Sequence, residues 1–206
     1  MAAIGSEFKS SGITADTPKN IMLGAGTIHK GLTFATGSGS TGSWNFEESL
    51  ICATSGGSKL SIVPEFTDIE VDGALVKVKG LTVKTGETAT LEINPVEITG
   101  DILKMSLIGT ETESETATGY NEFVSKPRIE EGDYLQKMGY VGKTIQGTPI
   151  IIIFDYALCT SGLELEGKNK EAAVPKFTFE CFADLTPEAD TLPYHIYYPT
   201  PVVSGV

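Results

Sequence analysis

Histidine is nearly absent from this sequence, with His29 and His195 the only two. Neither stands in a His-x-His or Glu-x-x-His spacing, so no convergent ligand set for zinc is expected. Both read as hydrogen-bonding or surface residues. No Gly-x-Ser-x-Gly elbow occurs to mark a nucleophile, and no catalytic residue is expected. Cysteine is scarce too. Cys52, Cys159 and Cys181 are odd in number, widely separated and flanked by apolar residues. They read as small core side chains, not as a disulfide framework. No run approaches the roughly 18 apolar residues of a membrane span. The opening MAAIGSEFKSSG lacks the apolar stretch of a signal peptide, and no N-x-Ser/Thr sequon is present. The expectation is a protein made in a reducing cytoplasm, with no membrane partner, no metal and no cofactor.

Positive charge is the next shortage. Lysine and arginine number 15 against 27 acidic residues, a formal net charge of −12. Gripping nucleic acid requires cations to neutralise phosphate, so that function is disfavoured, whereas letting nucleic acid pass is not. The same charge also keeps an abundant protein soluble.

What the chain does have is turns and short β-patterned runs, with 23 glycines and 10 prolines. Residues 1–18 are small and polar and read as an N-terminal arm. Residues 19–198 read as one β domain, and 199–206 as a C-terminal arm. Within the domain, Phe66 to Asp72 alternates apolar and acidic residues, Asp72-Gly73 signals a hairpin, and Leu75 to Lys79 returns. Ala89, Leu91 and Ile93 share one face of a later strand and Glu92 the other, which together predict an antiparallel meander with one dry face. Thr99 as N-cap, Asp101 in the first turn and the apolar spacing predict a helix over 99–108, closed by Gly109. Residues 110–133 open with Glu111, Glu113 and Glu115 and read as a solvated crossing. The run from Pro149 to Phe154 predicts a strand buried on both faces. Leu163–Glu166, Phe177–Phe182 and Tyr194–Tyr198 alternate as further strands. The fold class expected from these patterns is mainly β, with one short flanking α-helix.

Two constellations stand out. Asp68, Glu70 and Asp72 fall on one face of a predicted strand, spread along about 13 Å, which suits an extended negative surface better than a calcium shell. The run Gly37 to Ser43 is flexible by composition but lacks the Gly-Lys-Ser/Thr ending of a phosphate loop. It leads into Trp44 and Phe46. Trp44 has two readings of equal weight here, a core anchor or a sticky tip for a partner subunit.

Several stretches, in order, resemble the major tail tube protein of tailed bacteriophages infecting Gram-positive bacteria. They are Ala53–Lys59, Pro64–Gly73, Val78–Gly80, Ala89–Glu92, Glu97–Thr99, Leu158–Leu165, Phe177–Glu180 and Pro193–Tyr198. The similarity runs from about residue 18 to 199 and departs from the family in the Gly/Ser loop and after Pro199. It implies a β-sandwich or barrel flanked by one short α-helix, and a structural, non-enzymatic subunit forming stacked, six-membered rings, whose inner strands share one barrel around a DNA channel. It implies residues 35–58 as the inter-ring loop, with Gly37, Gly39, Gly42, Trp44 and Phe46 at contacts between subunits. Asp68, Glu70, Asp72 and Glu92 become candidates for the channel wall. The implied partners are further copies of the chain, tail terminator and baseplate or distal tail proteins, and a sheath where the tail contracts. The implied location is the virion tail. The competing expectations are a secreted or surface-displayed β-sandwich adhesin or pilus-like subunit and, behind it, a hydrolytic or sugar-active jelly-roll enzyme.

Overall fold

The computed structural model describes residues 11–37, 42–185 and 190–199. Residues 1–10 of the predicted N-terminal arm 1–18, residues 200–206 of the predicted C-terminal arm 199–206, and Gly39 lie outside the described residues. In chain order the strands are β1 (Thr27–His29), β2 (Phe34–Thr36), β3 (Gly42–Trp44), β4 (Leu50–Cys52), β5 (Lys59–Asp68) and β6 (Thr82–Ile93). They continue with β7 (Gly109–Glu113), β8 (Asn121–Ser125), β9 (Leu135–Lys143), β10 (Pro149–Cys159), β11 (Phe177–Cys181) and β12 (Tyr194–Tyr197). The α-helices are α1 (Thr17–Asn20), α2 (Phe46–Ser49) and α3 (Gly100–Ser106).

The chain is mainly β and antiparallel. One eight-stranded sheet has the order β4-β1-β9-β10-β11-β6-β5, with β12 also paired to β10. Its ends are drawn together: Thr54 bridges Pro95, Ser55 N–H donates to the Asn94 carbonyl (2.9 Å), and Val96 N–H donates to the Ala53 carbonyl (3.0 Å). These bonds join the chain leaving β4 to the chain leaving β6, so the sheet curls around its contents. The larger of two apolar clusters among the described residues fills it. It includes Ile28, Leu91, Ile93, Tyr140, Ile152, Phe154, Phe177 and Phe179, and Ile102 and Met105 of α3.

The β10 run is buried on both faces, as its unbroken branching predicts. Ile152 and Phe154 point into this core, while Ile151 and Ile153 meet Leu32 on the other face, beneath Trp44 and Phe46. The three cysteines are buried and free, small core residues as expected. Burial pushes the Cys52 thiol up to about 11 and the Cys181 thiol up to about 12, so neither forms a reactive thiolate near neutrality.

Several sequence expectations are corrected. Helix α3 starts where predicted, with the Thr99 hydroxyl accepting the Ile102 N–H at 3.3 Å, but it ends at Ser106. Gly109 is no helix terminator. It opens β7, where an added Cβ would stand 2.8 Å from the Val124 carbonyl oxygen. The one-helix expectation also gives way to three short α-helices among the described residues, because the four-residue turns α1 and α2 are too brief to show a helical period. Residues 110–125 form the β7–β8 hairpin, in which Lys104 bonds Glu111. Leu163–Glu166 alternates in sequence yet forms no strand.

Candidate assembly surface

Strands β5 and β6 pair along their whole length, from Lys59 opposite Glu92 to Asp68 opposite Thr82. Strand β11 covers β6 only from Thr90 to Ile93. The near half of the pair therefore belongs to the sheet, with Ala89, Leu91 and Ile93 buried and Leu60 and Ile62 packed against them. The far half has no third strand, and every residue of β5 from Val63 onward is exposed. A two-stranded ribbon thus leaves the body of the protein. At Glu65 and Phe66 the register slips, leaving Thr85 as the extra residue of a bulge. Strand β5 is last in the sheet order, and Pro64 within it offers no N–H. Proline and a bulge both blunt a strand edge against adding another strand.

The ribbon ends in an ordered tip, residues 69–81, built on two turns. Ala74 N–H donates to the Val71 carbonyl (3.1 Å), Leu81 N–H to the Val78 carbonyl (3.1 Å), and Ile69 N–H to the Leu81 carbonyl (2.7 Å). Each turn carries glycine at its third position, Gly73 at φ +91° and Gly80 at φ +95°, the conformation a type II turn requires there. The expected hairpin over Phe66–Lys79 is therefore corrected. The Asp72-Gly73 turn is real but joins no two strands, and Ile69 and Val71 face solvent instead of a core. Around it stand Leu75, 97% exposed, and Val76, 77% exposed, with Phe66 and Val78 also open.

The predicted acidic wall is not continuous. Asp68 ends β5 and is held by Lys77 Nζ (2.6 Å) and the Thr82 hydroxyl (2.6 Å), which keep its carboxyl below the usual range. Glu70 and Asp72 lie in the tip, off any strand. Neither has an ion-pair partner among the described residues. Glu92 sits deeper in the sheet, on β6, and Lys176 (2.5 Å) and Lys59 (3.1 Å) both bind it and lower its pKa. Period two failed here because the strand stops at Asp68, where β6 begins opposite it.

The predicted inter-ring loop 35–58 is largely folded onto its own subunit. Strands β2 and β3 pair, with Phe34 opposite Trp44. Trp44 meets Phe34 edge-on at 5.2 Å and Tyr197 at 5.1 Å, and packs over Leu32, Ile151 and Ile153. Of its two readings, the anchor is the one realised. Phe46 opens α2 in the same cluster, and Gly42 is required because the Phe34 ring lies where a Cβ would stand. Gly37 is exposed beyond the end of β2.

His29 Nδ1 and Ser49 Oγ lie 2.9 Å apart, but they form a strut and not a catalytic dyad. Both are buried, and the Ser49 hydroxyl gives its proton to the Asn45 carbonyl at 2.7 Å. It must accept from Nδ1–H, leaving Nε2 to accept from the Thr27 hydroxyl at 2.8 Å. His195 pairs instead with Asp155 (3.4 Å), which Lys137 also holds (2.8 Å). Among the described residues no group of three or more His, Cys, Asp or Glu could hold a metal ion, and no helix is long and apolar enough to cross a membrane.

No protein-family model matches the chain, and no curated protein matches it significantly.

Proposed function

We propose that this chain is a non-catalytic structural subunit that polymerises with copies of itself into the tube of a phage tail, as stacked rings around a channel for DNA. The observation that carries the reading is the ribbon and its tip. A monomer gains nothing from Leu75, Val76, Phe66 and Val78 held in water on an ordered extension, whereas a subunit gains their burial on contact. The ordered sequence resemblance and the mainly β, curled sheet support the same reading.

The net charge of −12 suits a channel through which phosphate slides without sticking. Of the four candidate wall acids, Asp68 and Glu92 are the two on sheet strands, and the lysines that bind them moderate the charge they present. In this reading the tube ends meet the terminator and distal tail proteins. Negative-stain microscopy of concentrated protein tests it: hollow tubes of uniform width are expected. Particles that stay monomeric at every concentration, or solid fibres, overturn it.

A further inference from the structure

The outer end of the ribbon carries balanced charge, although Glu65 and Glu87 at its base are acidic. Between residues 66 and 84 the acids are Asp68, Glu70 and Asp72 and the bases are Lys77, Lys79 and Lys84, so three negative charges cancel three positive in a chain of net charge −12. Two acidic copies that approach through this segment meet no local excess of like charge. Two acids without an ion-pair partner, Glu70 and Asp72, line the same concavity as Leu75 and Val76.

Elsewhere on the chain lies a groove with the opposite character. Its cavity of about 470 Å³ is lined by Leu23, Phe46, Val141 and Pro149 and by glycine backbone, and Lys143 is its one ionisable residue. Glycine makes its walls thin: a Cβ on Gly26 would strike the Tyr140 ring, and one on Gly142 would strike Met22. Lys143 is exposed and has no ion-pair partner among the described residues. The groove thus offers an apolar floor and one unsatisfied cation. The tip offers aliphatic side chains, two unsatisfied anions and one unsatisfied cation, Lys79, so its unpaired charge among the described residues is net negative.

We propose that the tip of one copy seats in this groove of a second copy, Leu75 and Val76 on the apolar floor and Glu70 and Asp72 toward Lys143. The inference rests on the reading of the chain as a self-assembling subunit and supplies its contact. Tip and groove are different surfaces, so the contact is heterologous: each copy uses both, and the chain of contacts closes into a ring or runs on. The blunted edge of β5 fits this mode, since that edge is poorly suited to adding a strand.

Reciprocal charge reversal in the full-length protein tests the seating. One variant carries Glu70→Lys and Asp72→Lys, another Lys143→Glu. All three sites are exposed, so the monomer folds as before, which circular dichroism checks. Each variant alone is expected to raise the critical concentration for sedimentable polymer by about tenfold or more. An equimolar mixture, in which every contact is again complementary, is expected to restore it, as is a single chain carrying all three changes. Variants that assemble like the parent, or a mixture that stays as poor as its components, overturn the seating while leaving self-assembly intact. A parent protein that never assembles overturns the functional reading itself. A second measurement uses Leu23→Cys with Leu75→Cys, the native cysteines being buried. Oxidised polymer is expected to yield a ladder of covalent oligomers, and polymer that yields only monomers overturns the seating.

Discussion

Replacing Leu75 and Val76 by alanine separates folding from assembly, because the two side chains do nothing for the monomer. They are 97% and 77% exposed, so their loss removes almost no buried surface from the folded subunit. Surface substitutions of this kind stay within about 0.5 kcal/mol, and the denaturant midpoint of the double variant should match the parent's. Between subunits the accounting is different. At about 0.8 kcal/mol per buried methyl or methylene, the pair contributes about 4 kcal/mol if fully covered and about 2 kcal/mol if half covered. With tenfold per 1.4 kcal/mol, the critical concentration should rise between about 30-fold and 700-fold. Sedimentation across a concentration series measures it, with chemical unfolding of the dilute monomer as control. Polymer forming at the parent's concentration would show that the tip touches no neighbour. A monomer destabilised by more than about 1 kcal/mol would show that the tip packs on its own body in solution.

Trp44→Ala should behave in the reverse way, destabilising the monomer by about 2–3 kcal/mol, because the ring covers Leu32, Ile151 and Ile153 within one subunit; an unchanged unfolding midpoint would count against the anchor. Burial lowers the His29 pKa and outweighs the opposing carbonyl of Phe46, so below the unfolded value of about 6.5 the unfolded chain binds a proton that the folded one resists. Stability should fall as pH drops from about 7 toward 5, and His29→Gln should flatten that segment of the stability profile; an identical slope in the variant would assign it to other groups. Raising ionic strength from about 0.01 M to 0.15 M shortens screening from about 30 Å to 8 Å and should lower the critical concentration, because repulsion between bodies of charge −12 outweighs one charged contact. A critical concentration that rises with salt would mean that ion pairs drive assembly.

The parts of the fold legible in the sequence are those where burial writes a pattern. Ala89, Leu91 and Ile93 alternate because one face of β6 is dry, and the branched run of β10 is continuous because both its faces are covered. Thr99 announced α3 through its own hydroxyl chemistry. The hairpin β7–β8 was illegible for the complementary reason: Thr110 to Glu113 is polar on both faces, so its pairing with Asn121–Val124 leaves no alternation to read. Leu163–Glu166 shows the converse, alternation without a partner strand. The tip misled most. Ile69 and Val71 carry the apolar signature of a core strand, yet they stand beyond the last residue of β5, and nothing in a period of two distinguishes burial within a subunit from burial against another. The one available signal was the pair of glycine turns, Asp72-Gly73 and Lys79-Gly80, bracketing an apolar segment too short to be paired by the strands outside them.

Why an acidic chain should carry a neutral apolar tip follows from what each feature does at its own range. Screened at about 8 Å, the body's charge acts before surfaces touch and disfavours unspecific collision. At contact, only a segment without excess charge avoids an electrostatic penalty, and residues 66–84 are such a segment. The edge of β5 is the other adhesive feature of the ribbon, and it is the one the sequence spoils, through Pro64 and the bulge at Glu65 and Phe66. Strand addition tolerates many partners because backbone is common to all of them, whereas side chains seating in a shaped groove do not. Blunting the edge while leaving the tip open therefore exchanges a promiscuous adhesive for a selective one. That exchange is what a subunit needs if it is to reach high concentration in a cell without aggregating and still bind its own kind.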